Sequence, residues 1–229
     1  MTFSIIGRCE RTGQLGIAIS SSSIAVGARC PWVRTKVGAV ATQNVTLPAL
    51  GPQILDQLEG LQLAPAAALD RVLAANEWNE YRQVSVIDAL GRTAFFSGKQ
   101  ALGTYHAVAG NQCVAAGNML TGIEVIEAMV PAFENAGGNP ASSLADRLMA
   151  AMHAAMKHGG EAGPVHSAAL KIVGEVSWPL VDLRVDWADD DPIGVLDGLW
   201  AAYRPQMDDY VTRALNPTAA PSYGVPGDE

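Results

Sequence analysis

The chain has 229 residues, 49% of them apolar, 17% charged and 6% aromatic, enough for one compact domain with a buried core and too apolar for a disordered chain. With 23 acidic against 15 basic residues the formal charge is -8. A field of that sign disfavours nucleic acid and anionic membrane surfaces as partners. No apolar run approaches the ~20 residues that span a bilayer and no signal-peptide pattern opens the chain, so the expected location is cytoplasmic.

Residues 1–7 and 14–20 read as two strands joined by the polar turn Glu10-Arg-Thr-Gly13, an N-terminal hairpin. If Cys9 pairs with Gln14, the register carries Thr2 opposite Ser21, beside the serine run 20–23. A third strand over 37–43 has the small and β-branched residues of a doubly covered strand. It is expected beside the hairpin. In an antiparallel pairing Arg34 and Lys36 then fall at the Thr2 end and Gln43 at the far end.

Pro52 and Pro65 suit first helical positions, giving helices near 52–59 and 65–75. Two further hairpins follow, 82–88 with 93–97 and 105–109 with 112–116. Thr121 and Glu124 have capping-box spacing and predict a helix over 122–135, with a second over 141–157 whose Leu144, Leu148, Met149, Met152 and Met156 make one stripe. Strands over 167–173 and 181–185 precede a helix capped by Asp191-Pro192 and running to Tyr203. Runs of strands alternating with runs of helices predict an α+β domain of antiparallel sheets layered with helices. That single domain is expected over 1–212, with a Pro/Gly-rich tail or arm over 213–229.

Phosphate-binding loops, GxSxG elbows and zinc motifs are absent. The three cysteines are dispersed and read as buried thiols, the four histidines as surface or structural groups. The acidic stretch 182–191 reads as a strand end and helix cap, with cation binding as its alternative. No metal or cofactor is expected. Thr2 differs because one residue carries both a hydroxyl and, once Met1 is removed, an α-amine. An amine with a pKa near ~7.7–8.0 is matched to general-base work at neutral pH. Arg34 or Lys36 nearby would lower that pKa and stabilise developing negative charge.

Thr2-Phe-Ser-Ile-Ile-Gly7, Ala25-Val-Gly27, Pro31-Trp-Val-Arg34, residues 37–43, Gly117-Asn-Met-Leu120, Ser167-Ala-Ala-Leu170 and Asp182-Leu-Arg-Val-Asp186 together resemble a prokaryotic family. It is the domain-of-unknown-function family numbered one thousand and twenty-eight, grouped with the N-terminal nucleophile hydrolases. The resemblance spans most of the domain. It implies a four-layer αββα sandwich whose N-terminal strand carries the candidate nucleophile, and it implies no settled substrate; together with the chemistry of Thr2 it gives the expectation of a hydrolase of small amide or peptide bonds. Thr2, Ser21, Arg34 and Asn118 would be its catalytic groups, and Ser23, Lys36, Gln43, His166, Ser167 and Asp182 would line the substrate site. Two segments depart from the family pattern: Glu161-Ala-Gly-Pro-Val-His166 replaces Asp-x-Arg-Gly-x-Gln, and Trp187 follows Asp186 where Asp-His-Pro is usual. The alternatives are a non-catalytic homo-oligomeric binder of small molecules, or a serine hydrolase using Ser21 or Ser23 with His106 or His166.

Overall fold

The computed structural model describes residues 1–225, so the end of the expected tail lies outside the described residues. Strand β1 (Thr2–Arg8) turns into β2 (Leu15–Ser21), and the Cys9 N–H donates to Gln14 O at 2.9 Å, as the turn predicts. Phe3 lies opposite Ser20, which carries Thr2 to Ser21. β3 (Pro31–Arg34), not anticipated from the sequence, pairs with β4 (Gly38–Asn44). After α1 (Leu50–Gly60) and α2 (Pro65–Ala74) come β5 (Arg82–Asp88), β6 (Thr93–Ser97), β7 (Thr104–Gly110) and β8 (Cys113–Leu120). Helices α3 (Glu124–Gly137) and α4 (Leu144–Lys157), strands β9 (Ser167–Val173) and β10 (Val181–Val185), and helices α5 (Pro192–Tyr203) and α6 (Met207–Leu215) complete the order.

Among the described residues ten strands form two antiparallel sheets, one ordered β10-β9-β2-β1-β8-β7 and the other β3-β4-β5-β6. Alternation assigns their faces. Phe3, Ile5, Ala18, Ala115 and Leu170 turn outward onto α3 and α4, while Val40, Val84 and Val86 turn outward onto α1 and α2. Ile6, Leu15, Ile17, Ala39, Ala41, Ile87 and Val114 fill the space between the sheets. The result is the four-layer αββα sandwich that the resemblance implied.

Three local expectations are corrected. β4 does not pair beside the hairpin; it lies in the second sheet, where its small residues let the two sheets approach face to face. The Thr121 hydroxyl donates to Gly160 O at 3.2 Å and caps no helix, whereas Ser143 and Asp146 form a capping box at α4. Beyond Tyr203, Arg204–Gln206 form a single 3-10 turn and the chain continues into α6, whose sequence has no apolar stripe buried in the core to announce it.

Candidate active site at the head of the central strand

Asn118, Thr2, Ser21 and Ser167 stand in one row across the neighbouring strands β8, β1, β2 and β9, all buried. Directly opposed residues share a face. Ser4, two residues along β1, bonds Gln43 of the other sheet, so the row faces the gap between the sheets. Backbone ladders fix this register on both sides of β1, which aims the Thr2 side chain into the gap.

Thr2 Oγ1 lies 3.2 Å from Ser21 Oγ, and both hydroxyls donate to the carbonyl oxygen of Met1. Each hydroxyl has one proton, so with Met1 in place neither proton is free for the other oxygen. Ser21 Oγ is also 2.9 Å from Ser23 Oγ, which accepts from Arg29 Nη2 at 2.9 Å. A chain of hydroxyls thus links Thr2 to a guanidinium. Ser167 Oγ donates to Ser23 O at 2.6 Å and accepts the Val26 N–H at 3.2 Å, pinning the loop that carries these serines.

A second network crosses the gap. Ser4 donates to Gln43 Oε1 at 2.7 Å, Gln43 Nε2 to Gln83 Oε1 at 2.8 Å, and Asn118 Nδ2 to the same oxygen at 3.1 Å. Gln83 Nε2 in turn donates to Gly117 O at 3.0 Å. Asn118 Oδ1 is buried without a partner. Asn118 therefore keeps a buried acceptor unpaired in the row that holds Thr2.

Glu161, bridged to Leu120 just beyond Asn118, is 5% exposed. One carboxyl oxygen accepts the Ser22 N–H at 3.1 Å and the other is buried without a partner. Burial pushes this carboxyl up to about 8, against the pull of the Met1 ammonium and the Ser22 hydrogen bond.

The structure brings Thr2, Ser21, Ser23, Asn118, Gln43 and Ser167 together and separates the others. Arg34 and Lys36 sit at the opposite end of β4, roughly 16 Å from Gln43 along the strand. There Arg34 pairs with Asp56 and Glu59, and Lys36 with Glu175. Their predicted ends are thus exchanged with that of Gln43, because β4 lies across the gap rather than beside β2. Asp182 pairs with Lys171 on the outer strand β10, roughly 13 Å along β9 from Ser167. His166 adjoins the row through its backbone, whose N–H donates to Ser21 O, but its ring bonds Ala188 O and stacks on Trp187. His106 lies opposite Gly117 and turns toward Glu127 of α3, away from the serines. Neither ring is hydrogen-bonded to Ser21 or Ser23 among the described residues.

Sequence reasoning missed Arg29 and Glu161 as members of this group. The only signals were positional: Arg29 closes the loop after the serine run, and Glu161 heads the segment that departs from the family pattern. Among the described residues no helix is long and apolar enough to cross a membrane, and no cluster of three His, Cys, Asp or Glu side chains is placed to hold a metal ion.

Layers and row together define an α+β sandwich with a buried threonine at the head of a central strand, facing the gap between its sheets. The chain belongs to DUF1028, a family of unknown function whose sequence profile matches residues 2–196. It is similar to the crystal structure of protein SPO2555 from Silicibacter pomeroyi, also of DUF1028, with a TM-score of 0.82 and 30% identity over 91% of this chain and 89% of that one. HslV from Trypanosoma brucei is more distant, with a TM-score of 0.48 and 10% identity over 76% of this chain and 99% of that chain. No protein of curated function matches the sequence.

Proposed function

We propose that the chain is an N-terminal nucleophile hydrolase of small amide or peptide bonds, with Thr2 as nucleophile once Met1 is removed. The observation that carries this reading is the convergence of the Thr2 and Ser21 hydroxyls on the Met1 carbonyl oxygen. Removing Met1 frees both protons and turns the Thr2 amide into an amine on the nucleophile's own residue. Thr2 Oγ1 then attacks the substrate carbonyl carbon and its proton passes to the α-amine. The amine returns that proton to the leaving nitrogen as the C–N bond breaks. Water, deprotonated by the same amine, cleaves the resulting ester, releases the acid and restores the hydroxyl. Ser21 Oγ is placed to donate to Thr2 Oγ1 or to the developing oxyanion. No cofactor enters this sequence of steps.

The test begins with the intact mass and N-terminal residue of untagged protein. Loss of one methionine is expected, followed by amide turnover that Thr2→Ala abolishes without loss of fold. Retention of Met1 in protein from the native host, or full activity in Thr2→Ala, overturns the reading. A second reading, a non-catalytic homo-oligomeric binder of small molecules, is favoured by how closely Met1 is held: two hydroxyls grip its carbonyl and its side chain lies against Gly163. It predicts ligand-dependent thermal shifts with the ligand recovered at unchanged mass. A cytoplasmic location and a homo-oligomeric state are part of both readings.

A further inference from the structure

Met1 occupies the space that a substrate of Thr2 would need, and its surroundings describe what fits there. Its carbonyl oxygen is held by Thr2 Oγ1 and Ser21 Oγ. Its side chain lies over Gly163, where a Cβ would come within 2.9 Å of Met1 Cε and 3.5 Å of Sδ. The segment that carries Gly163 begins at Glu161, a carboxyl 5% exposed with one oxygen on the Ser22 N–H and the other without a partner; the Met1 ammonium makes no ion pair with it and reaches it only through its charge.

An unpartnered buried carboxyl oxygen is costly, and a cation beside it supplies the countercharge that burial withholds. A carbonyl gripped by two hydroxyls, a side chain seated on Gly163 and an ammonium within electrostatic reach of a buried carboxyl are the parts of an aminoacyl group. We propose that in the processed chain the space left by Met1 is a subsite for an α-aminoacyl group, with Glu161 receiving the ammonium, so that the bond cleaved is the amide of an α-amino acid with a free amine. The choice of substrate rests on the hydrolase reading; the subsite itself is tested by binding alone.

The probes are methioninamide and N-acetylmethioninamide, titrated by calorimetry into processed protein carrying Thr2→Ala, its mass verified, so that neither ligand is consumed. The free amine should bind at least roughly tenfold more tightly, the scale of one charge-assisted hydrogen bond, and Glu161→Gln in the same background should erase most of that preference. Equal affinity for the two probes, binding of neither, or a preference that survives Glu161→Gln overturns the subsite. Equal affinity is the outcome if Glu161 instead holds the α-amine of residue 2. Turnover by processed protein with Thr2 intact separates the two ideas. Amine-selective binding without turnover removes the hydrolase and leaves the subsite, whereas equally fast cleavage of the acetylated amide removes the subsite and leaves the hydrolase.

Discussion

Replacing Glu161 by Gln is expected to stabilise the protein at alkaline pH and to flatten the dependence of its stability on pH. Burial lifts this carboxyl from its usual 4.5 to about 8. The folded chain therefore holds the proton more tightly than the unfolded one, and between those values it binds more protons. Unfolding free energy then falls as pH rises through the window: below about 4.5 the group costs nothing, and above about 8 the whole penalty is present. At ~1.36 kcal/mol per pH unit the ceiling is on the order of 5 kcal/mol. Gln keeps an acceptor for the Ser22 N–H and carries no charge, so the pH-dependent part disappears. With less than half of that ceiling realised, ~2 kcal/mol, the variant would melt roughly 4–8 °C above the parent near pH 8.5. Paired thermal and urea unfolding of Met1-bearing protein from about pH 5 to about pH 9 makes the comparison, since groups common to both chains that do not interact with Glu161 cancel in the difference. The two curves should meet at the acid end and separate towards the alkaline end. Parallel curves, or a gap that opens towards acid, would refute the reasoning.

Gln83→Leu removes the fully buried amide at which Gln43 and Asn118 meet, leaving two buried N–H groups without their acceptor. A loss of ~2–5 kcal/mol in urea unfolding is expected, and a loss under ~1 kcal/mol would show that the gap admits water at this end. Arg34→Ala breaks only partly exposed ion pairs, so it should cost under ~1 kcal/mol and leave amide turnover unchanged. Arg29→Ala removes the guanidinium from Ser23 and from the Ile24 and Ala25 carbonyls, and should lower turnover at a stability cost of only ~1 kcal/mol. Equal effects of the two arginine variants on turnover would contradict the placement of Arg29, and not Arg34, at the threonine end.

What the sequence made legible follows from how locally each feature is determined. The turn after Cys9 fixes the hairpin, and an alternation of period two then carries the register to Thr2 and Ser21. Asp191 announced its helix because its side chain meets the Gly194 N–H three residues on. By contrast β4, read from Val37, Gly38, Ala39, Val40 and Ala41, offers the same pattern whether it pairs beside β2 or packs across from it. The wrong choice moved Gln43 away from Thr2 and brought Arg34 and Lys36 towards it. Glu161 had only its position at the head of a departing segment to mark it: its burial is created by the crossing of the chain from α4 to β9 beside the end of β8, a tertiary event.

The gap between the sheets also changes character along its length. On β1 the inward residues run Thr2, Ser4, Ile6; on β8, Asn118, Ala116, Val114; on β4, Gln43, Ala41, Ala39; and on β5, Gln83, Ser85, Ile87. A core needed only for stability gains little from buried amides, because apolar residues of similar shape fill such a layer at equal or lower cost. Most of the polar set is satisfied within itself, which keeps Thr2 and its neighbours in fixed positions. Two of the atoms left without partners are Asn118 Oδ1, an acceptor on the strand beside Thr2, and the free oxygen of Glu161, on the segment bridged to that strand, which becomes an acceptor when the carboxyl ionises. Neither atom meets a donor within the described residues. An ammonium or a departing amine is such a donor, and either belongs to the amide chemistry proposed for Thr2.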